Sequence, residues 1–326
     1  MRTTSSFAAV ATAVTLFGSM LTGPAAAAAK PEPPRSPFAA TSAPVLPTCT
    51  PRPVIDRMVG YIRTVQAADG SFPSPFVGVR DSTADAVLAL AGAGVDPARV
   101  TTNGRSAIDW IYGETDDLTP GDAAKFVLAL LAARRSTVAP GGFDFVAHVR
   151  AAYNPVSGLF DTNLHGNAYA IVALRAAGRP IPRHALEAWE RLQQDDGGWS
   201  AYLPVRESDT NTTAVAMIGL ILNRRPAAIP RALDYLRSQQ SADAGFTFST
   251  VFGTDSDANS TGLTILALLA AGQRLSEWEK DGVDPVRRLL GFQNPSGAFR
   301  FADAAPDDDP YATFQAGEAA AATQCR

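Results

Sequence analysis

Polar and apolar positions recur along this chain with a helical period. Over residues 54–65, 145–153, 185–192, 232–236 and 286–292, apolar side chains fall at i, i+3, i+4 and i+7. That spacing gathers them on one face of an α-helix. Each stretch is followed by a second of different texture, rich in Ala and Gly, at 83–91, 168–176, 213–222, 261–270 and 311–322. A shortened unit, 106–112 then 122–133, completes the series. The pattern predicts six helical hairpins of about 45 residues each.

A turn motif marks the hairpins. Gln or Asn, three residues, Gly, one residue and an aromatic recur as Gln66–Gly70–Phe72, Asn154–Gly158–Phe160, Gln193–Gly197–Trp199 and Gln293–Gly297–Phe299. Gln240–Gly245–Phe246 reads as a fifth copy with altered spacing. The glycine is expected to end the first helix in a left-handed conformation, and the aromatic to dock into the core. The second helices are expected to open on polar caps, as at Asp81-Ser82-Thr83, Asp209-Thr210-Asn211 and Asp257-Ala258-Asn259. Small side chains in the second helices suit an inner ring packed closely inside an outer one. Six hairpins form either an open solenoid or a closed ring. Closure is expected, because Cys49 and Cys325 meet if the first and last hairpins are neighbours. An open array needs polar capping repeats, and the last helix ends in an alanine run.

Composition limits the chemistry. The chain has 326 residues, is 46% hydrophobic and carries a net charge of −4. Apolar content is ample for a core, and nothing basic enough for nucleic acid is present. With three His and two Cys, a Cys-rich zinc or iron–sulfur site is excluded and a His-rich metal site is not expected; no cofactor is implied. Residues 1–29 read as a secretory signal: Arg2, an apolar stretch, then Ala25 to Ala29 as an A-x-A cleavage site. The alternative is an uncleaved anchor, but the apolar run is short for a bilayer core of about 30 Å. No integral span is expected further on. A proline-rich linker follows over 30–48, then a single domain over 49–326. In an oxidising compartment, Cys49 and Cys325 are expected to form one disulfide; two free thiols are the alternative.

The residues carry a resemblance. Gln193-Gln194-Asp195-Asp196-Gly197-Gly198-Trp199 resembles the QW turn of terpenoid cyclases, and Asp257 to Gly262 ahead of Leu266 to Gly272 resembles the prenyltransferase/squalene-oxidase repeats of secreted bacterial proteins. The resemblance spans about 54–323 and implies the α6/α6 toroid shared by squalene cyclases, protein prenyltransferase β subunits, the complement thioester domain and the cobalamin carriers intrinsic factor and transcobalamin. Fold alone does not give function. Squalene-type cyclases donate a proton from the middle acid of Asp-x-Asp-Asp. Here Asp255-Ser256-Asp257-Ala258 puts Asp257 at the donor position and lacks the last acid. Such cyclases also line their cavity with aromatic rings, and the inner helices here carry few: Phe126, Tyr169 and Phe314. The prenyltransferase zinc site and the complement thioester both need an internal Cys, and none lies between Cys49 and Cys325.

The expected function is therefore non-catalytic binding, at the ring mouth, of a small or hydrophobic ligand or of an envelope partner. The alternative is an atypical class II-like isoprenoid cyclase, with Asp257 as proton donor supported by Asp255, or a carbohydrate-active enzyme using Asp209 and Asp257 as facing carboxylates. Asp161, Asp209, Asn211, Asn259, Trp199 and Tyr202 are candidate ligand residues, and His165 a candidate acid or base. For the aspartates, plain helix capping is the competing reading. His148 and His184 are expected to face solvent. Asp307-Asp308-Asp309 reads as a surface cation site or a solvated loop, and Asn211 and Asn259 match glycosylation acceptors.

Overall fold

A computed structural model describes residues 48–325. The leader expected over 1–29 and all of the linker except Thr48 lie outside the described residues. Twelve α-helices follow in order: α1 (Arg52–Thr64), α2 (Val79–Gly92), α3 (Ala107–Gly113), α4 (Pro120–Ala132), α5 (Phe145–Ala151), α6 (Leu164–Ala176), α7 (Arg183–Arg191), α8 (Thr210–Leu222), α9 (Ile229–Ser238), α10 (Ala258–Ala270), α11 (Pro285–Gly291) and α12 (Pro310–Ala322). One two-stranded ribbon, β1 (Thr101–Thr102) and β2 (Arg105–Ser106), lies ahead of α3. The even-numbered helices pack side by side in a ring, α2 against α4, α4 against α6 and onward until α12 meets α2. The odd-numbered helices lie outside them. This is the six-hairpin α/α toroid that the periodicity predicts.

Burial separates the two rings. The outer helices bury one face, as α1 does with Ile55, Met58, Val59 and Ile62, whereas α10 buries an unbroken run from Ala258 to Leu268. A helix enclosed on all sides has little use for amphipathic periodicity, which is why the inner helices read only as small and apolar. Close packing needs that smallness. A Cβ added to Gly121 on α4 would stand 2.9 Å from the Cα of Gly166 on α6.

The recurrent turn works differently from a helix cap. Its glycine sits beyond the helix end, and the glutamine is the working part. Gln193 Nε2 donates to Gly197 O within its own turn at 2.8 Å and to Ala228 O of the next repeat at 2.9 Å. Gln66 and Gln240 repeat the arrangement. Gln293 does so across the ring closure, donating to Gly297 O and to Val54 O. Gly297 has φ 95°, and a Cβ there would lie 2.2 Å from Arg57 O. The aromatic is buried in every copy, and its backbone N–H donates to a side chain of the following inner helix: Thr83, Asn167, Thr213, Thr261 or Thr313. The fifth turn keeps the regular spacing after all. Ala244, at φ 70°, takes the left-handed place that glycine holds elsewhere, and Gly245 matches Gly198.

The ring is closed covalently. Cys49 and Cys325 form a disulfide with Cα atoms 5.0 Å apart. Beside it Thr50 N donates to Thr323 O, and Cys325 N to Thr50 O. Among the described residues no helix is long and apolar enough to cross a membrane.

Candidate functional site

The inner helices all begin at one end of the ring, where three of them are tied to the turn of the next repeat. Leu164 N donates to Ala201 O, Thr210 N to Phe248 O and Ala258 N to Phe301 O. Side-chain caps hold five of the six starts: Thr119, Asn163, Asp209, Asp257 and Asp309. The exception is α2. Its helix begins at Val79 on an uncapped Gly78, so Asp81-Ser82-Thr83 lies inside the first turn and is not its cap. That frees Asp81 for the ring interior.

The mouth has two unlike halves. Between α2, α4 and α6 a polar plug fills it. Lys125 is buried and pairs with Asp85 at 2.7 Å and Asp81 at 3.2 Å. Burial works against its charge, but the two carboxylates hold the ammonium well above the usual lysine range. The ammonium also lies 5.3 Å from the centre of the Tyr169 ring. Gln315 of α12 donates to Asp85 and to the Tyr311 hydroxyl, and accepts from Asn259 Nδ2 at 2.9 Å. Glu318 faces the same interior, its carboxyl pushed well up by burial and then by Asp85. The space left beside the plug is about 140 Å³.

The other half is hollow. A cavity of about 460 Å³ opens between the starts of α8, α10 and α12, walled by Phe76, Phe248, Phe301 and Tyr311, with Asn211, Asp257 and Asn259 among its polar lining. Phe76, Phe248 and Phe301 are all exposed, as are Tyr202, Leu203, Val205, Val251 and Phe252 on neighbouring loops. Isolated exposed apolar residues are ordinary. A group of them in the loops at one end of the ring, three lining a cavity, is less ordinary and makes this the candidate site. A groove of about 570 Å³ on the outside, along α5 and the Pro180–Pro182 loop, has Arg150 as its one charged lining residue.

The candidates drawn from the sequence separate accordingly. Asp257 lies in the cavity wall and caps α10, accepting from Ser260 N at 2.7 Å. Burial pushes its pKa up to about 6, against the lowering effect of the N–H bonds it accepts. Asp209 caps α8 in the same way and is also pushed up to about 6 by burial, but it is not among the cavity's lining residues. Of the two aspartates, Asp257 lines the cavity and Asp209 does not. Asp255 is exposed in the loop, and no hydrogen bond joins it to Asp257. Asp161 spends its carboxylate on the backbone, accepting from Gly121 N and Asn163 N. His165 meets Thr212 Oγ1 at 3.2 Å, and burial, then Lys125, lowers its pKa to about 4. It is thus neutral near pH 7 and belongs to the plug. Trp199 is fully buried, its indole N–H bonded to Trp189 O, so it is a core residue rather than a ligand platform. Tyr202 stands exposed on the rim.

Three further expectations change. His148 is partly buried against Leu118 O, not turned to solvent. Asn259 is buried inside the ring, which leaves no room for a glycan. Asp307, Asp308 and Asp309 are not one cluster, since Asp309 caps α12 and Asp308 accepts from Asn294 and Ser296. The sequence reading missed Asp85, Lys125, Gln315 and Glu318. Their signal was a lone polar residue flanked by apolar ones in an inner helix, as in Ala124-Lys125-Phe126.

No family model matches the chain, and no curated protein does either. Solved structures share its fold. A variant of the type II terpene cyclase MstE from Scytonema, in complex with geranylgeranyl dihydroxybenzoate, superposes with a TM-score of 0.61 at 13% identity, covering 83% of this chain and 96% of that one. A protein from Actinoplanes gives 0.54 at 18% identity, covering 83% and 98%. Candida albicans protein geranylgeranyltransferase-I, complexed with GGPP, gives 0.52 at 12% identity, covering 81% and 89%. The fold is therefore that of the terpenoid cyclase and prenyltransferase toroids. At these identities the likeness concerns architecture only.

Proposed function

We propose that this protein holds an apolar, isoprenoid-type chain in the cavity at the mouth of its ring. The observation that carries the reading is the cavity itself, a mostly apolar recess walled by Phe76, Phe248, Phe301 and Tyr311. Burying apolar surface is worth about 25 cal/mol per Å², and a pocket of this kind favours an elongated hydrocarbon over a sugar or nucleotide. Proteins with this fold bind geranylgeranyl chains, in line with that chemistry. The leader expected at the N-terminus and the Cys49–Cys325 disulfide both support an exported protein. N-terminal sequencing of the mature chain from its own host tests that part: a start near residue 30 supports it and an intact Met1 contradicts it.

A second reading has its own support and is favoured by the fold at least as strongly: proton-initiated cyclisation. Asp257 combines a place in the cavity wall with a pKa that burial pushes up to about 6. In its protonated form it would transfer its proton to a terminal alkene carbon of the bound chain. Phe248 and Phe301 would face the resulting tertiary cation. Loss of a proton from the cyclised cation would then give the neutral product, and solvent would reprotonate Asp257. Incubation with geranylgeraniol, followed by native mass spectrometry and product analysis for wild type and Asp257→Asn, separates the readings. Binding by both proteins without product is expected of a carrier. Product from wild type alone is expected of a cyclase. No binding by either removes both.

A further inference from the structure

We propose that the mouth cavity selects an amphiphile with an uncharged hydroxyl head, an isoprenoid alcohol, and rejects its diphosphate. The inference rests on the reading of the cavity as an apolar-chain site and specifies the head that site takes.

Charge gives the first part. Four aspartates, Asp257, Asp307, Asp308 and Asp309, are among the residues around the cavity, and no Lys, Arg or His is. The cation of the ring interior, Lys125, lies in the other half and is held by Asp85 and Asp81. A diphosphate entering here would bring negative charge to a negative wall with nothing to pair with. Sites that hold phosphate supply Arg, Lys or free helix N–H groups. Here the starts of α8, α10 and α12 are already covered by their own aspartates.

Hydrogen-bond direction gives the second part. Gln315 Nε2 approaches the Asp85 carboxylate at 3.2 Å, and a carboxylate only accepts. Gln315 Oε1 must then face Asn259, so the group Asn259 presents to it is its donor, Nδ2. Asn259 Oδ1 is left over. It is buried and has no hydrogen-bond partner, in a residue 4% exposed that lines the cavity. Asn211 holds the equivalent place in the preceding repeat, two residues past Asp209. It also lines the cavity, and its Oδ1 is likewise buried and unpaired. Two acceptors without donors leave a standing cost that a ligand donor would remove. Tyr311 completes the head site. Its oxygen accepts from Gln315 Nε2 at 2.7 Å, so its own O–H is free to donate. A hydroxyl head can donate to an amide oxygen and accept from a phenol. An ether lacks the donor, and a diphosphate at neutral pH lacks both the donor and the charge match.

Calorimetric titration at pH 7.5 with farnesol, farnesyl methyl ether and farnesyl diphosphate tests this. We expect farnesol to bind about tenfold more tightly than the ether, the size of one well-made hydrogen bond to a buried group, and the diphosphate to bind more weakly than either. In Asn259→Leu the alcohol-to-ether ratio should fall towards one while ether affinity is kept. Asn211→Leu, at a half-buried position, provides the same readout if the first variant does not fold. Equal binding of all three ligands, or tightest binding of the diphosphate, overturns the head-group assignment and leaves the apolar-chain reading standing. Absence of binding by all three overturns both.

Discussion

On the α2–α4–α6 side of the ring mouth, Lys125 meets Asp85 at 2.7 Å and Asp81 at 3.2 Å, and His165 and Tyr169 close over them. On the α8–α10–α12 side, the equivalent helix starts leave an apolar cavity of about 460 Å³, with Asn211 and Asn259 holding unpaired acceptors. Both halves are made from the same hairpin. They differ in where the polar residues of the inner helices find partners. In the first half the partners belong to the chain, so those residues hold the ring together. In the second, the Oδ1 atoms of Asn211 and Asn259 have none, and they border an open space. A repeat fold can therefore assign structure and binding to different copies of one unit without changing the backbone.

The plug provides the largest way to break this contrast. Lys125→Met leaves Asp85 buried without its counter-charge, and chemical denaturation should show a loss of about 3–5 kcal/mol. Replacing Asp85 by Leu in the same chain should recover most of it, because the cost lies in the unpaired charge. A Lys125→Met protein of wild-type stability would show that the plug is not structural.

The capping aspartates give the next effect. Asp257 and Asp209 have pKa values near 6 in the folded protein, against 3.8 unfolded. The folded state therefore binds more protons between these values, and stability falls as pH rises from about 4 to about 6. Asp257→Asn keeps the cap and removes that titration. Its unfolding free energy should exceed that of wild type at pH 7.5 by on the order of 1–3 kcal/mol. Its pH dependence over the same range should be flatter. Equal pH profiles for the two proteins would contradict the burial argument.

Smaller effects sharpen the other half. Phe301 walls the cavity and is exposed. Phe301→Ala should change stability by less than about 0.5 kcal/mol while weakening farnesol binding about tenfold, or about 1.4 kcal/mol. A stability loss of several kcal/mol would make Phe301 a core residue instead. The smallest effect is expected at Ala244, where a left-handed backbone carries a Cβ. Ala244→Gly should stabilise by about 0.5 kcal/mol, the strain relieved less the entropy glycine adds to the unfolded chain. A thermal melt reads it, and a lowered melting temperature contradicts it.

The ring was legible in the sequence because its signals are periodic and repeated. Apolar faces, the Gln–Gly–aromatic turn and the Asp-capped helix starts each recur. The seam followed from Cys49 and Cys325. The interior was not legible, because it is assembled across repeats. Asp85 and Lys125 lie 40 residues apart on neighbouring helices, and Gln315 lies 230 from Asp85. No local spacing links them. Each stood out only as a polar residue in an apolar run, which capping and solvent exposure explain equally well. Asp81 misled for a related reason: a cap residue and a first-turn acid look alike in sequence, and only the absence of a partner at Gly78 tells them apart. Of the cavity, Asp257, Asn211 and Asn259 were found as helix starts. Phe76 contributes through a loop whose direction no periodicity encodes.

A crystal structure of the protein grown with farnesol would test most directly the division of the ring mouth into a filled half and an open one. The account predicts the isoprenoid chain against Phe248, Phe301 and Tyr311, its hydroxyl within hydrogen-bond reach of Asn259 Oδ1 or Asn211 Oδ1, and the Lys125–Asp85 pair unchanged. An empty cavity at saturating ligand would contradict it. A chain lodged between α2, α4 and α6 with that ion pair broken would contradict it as well.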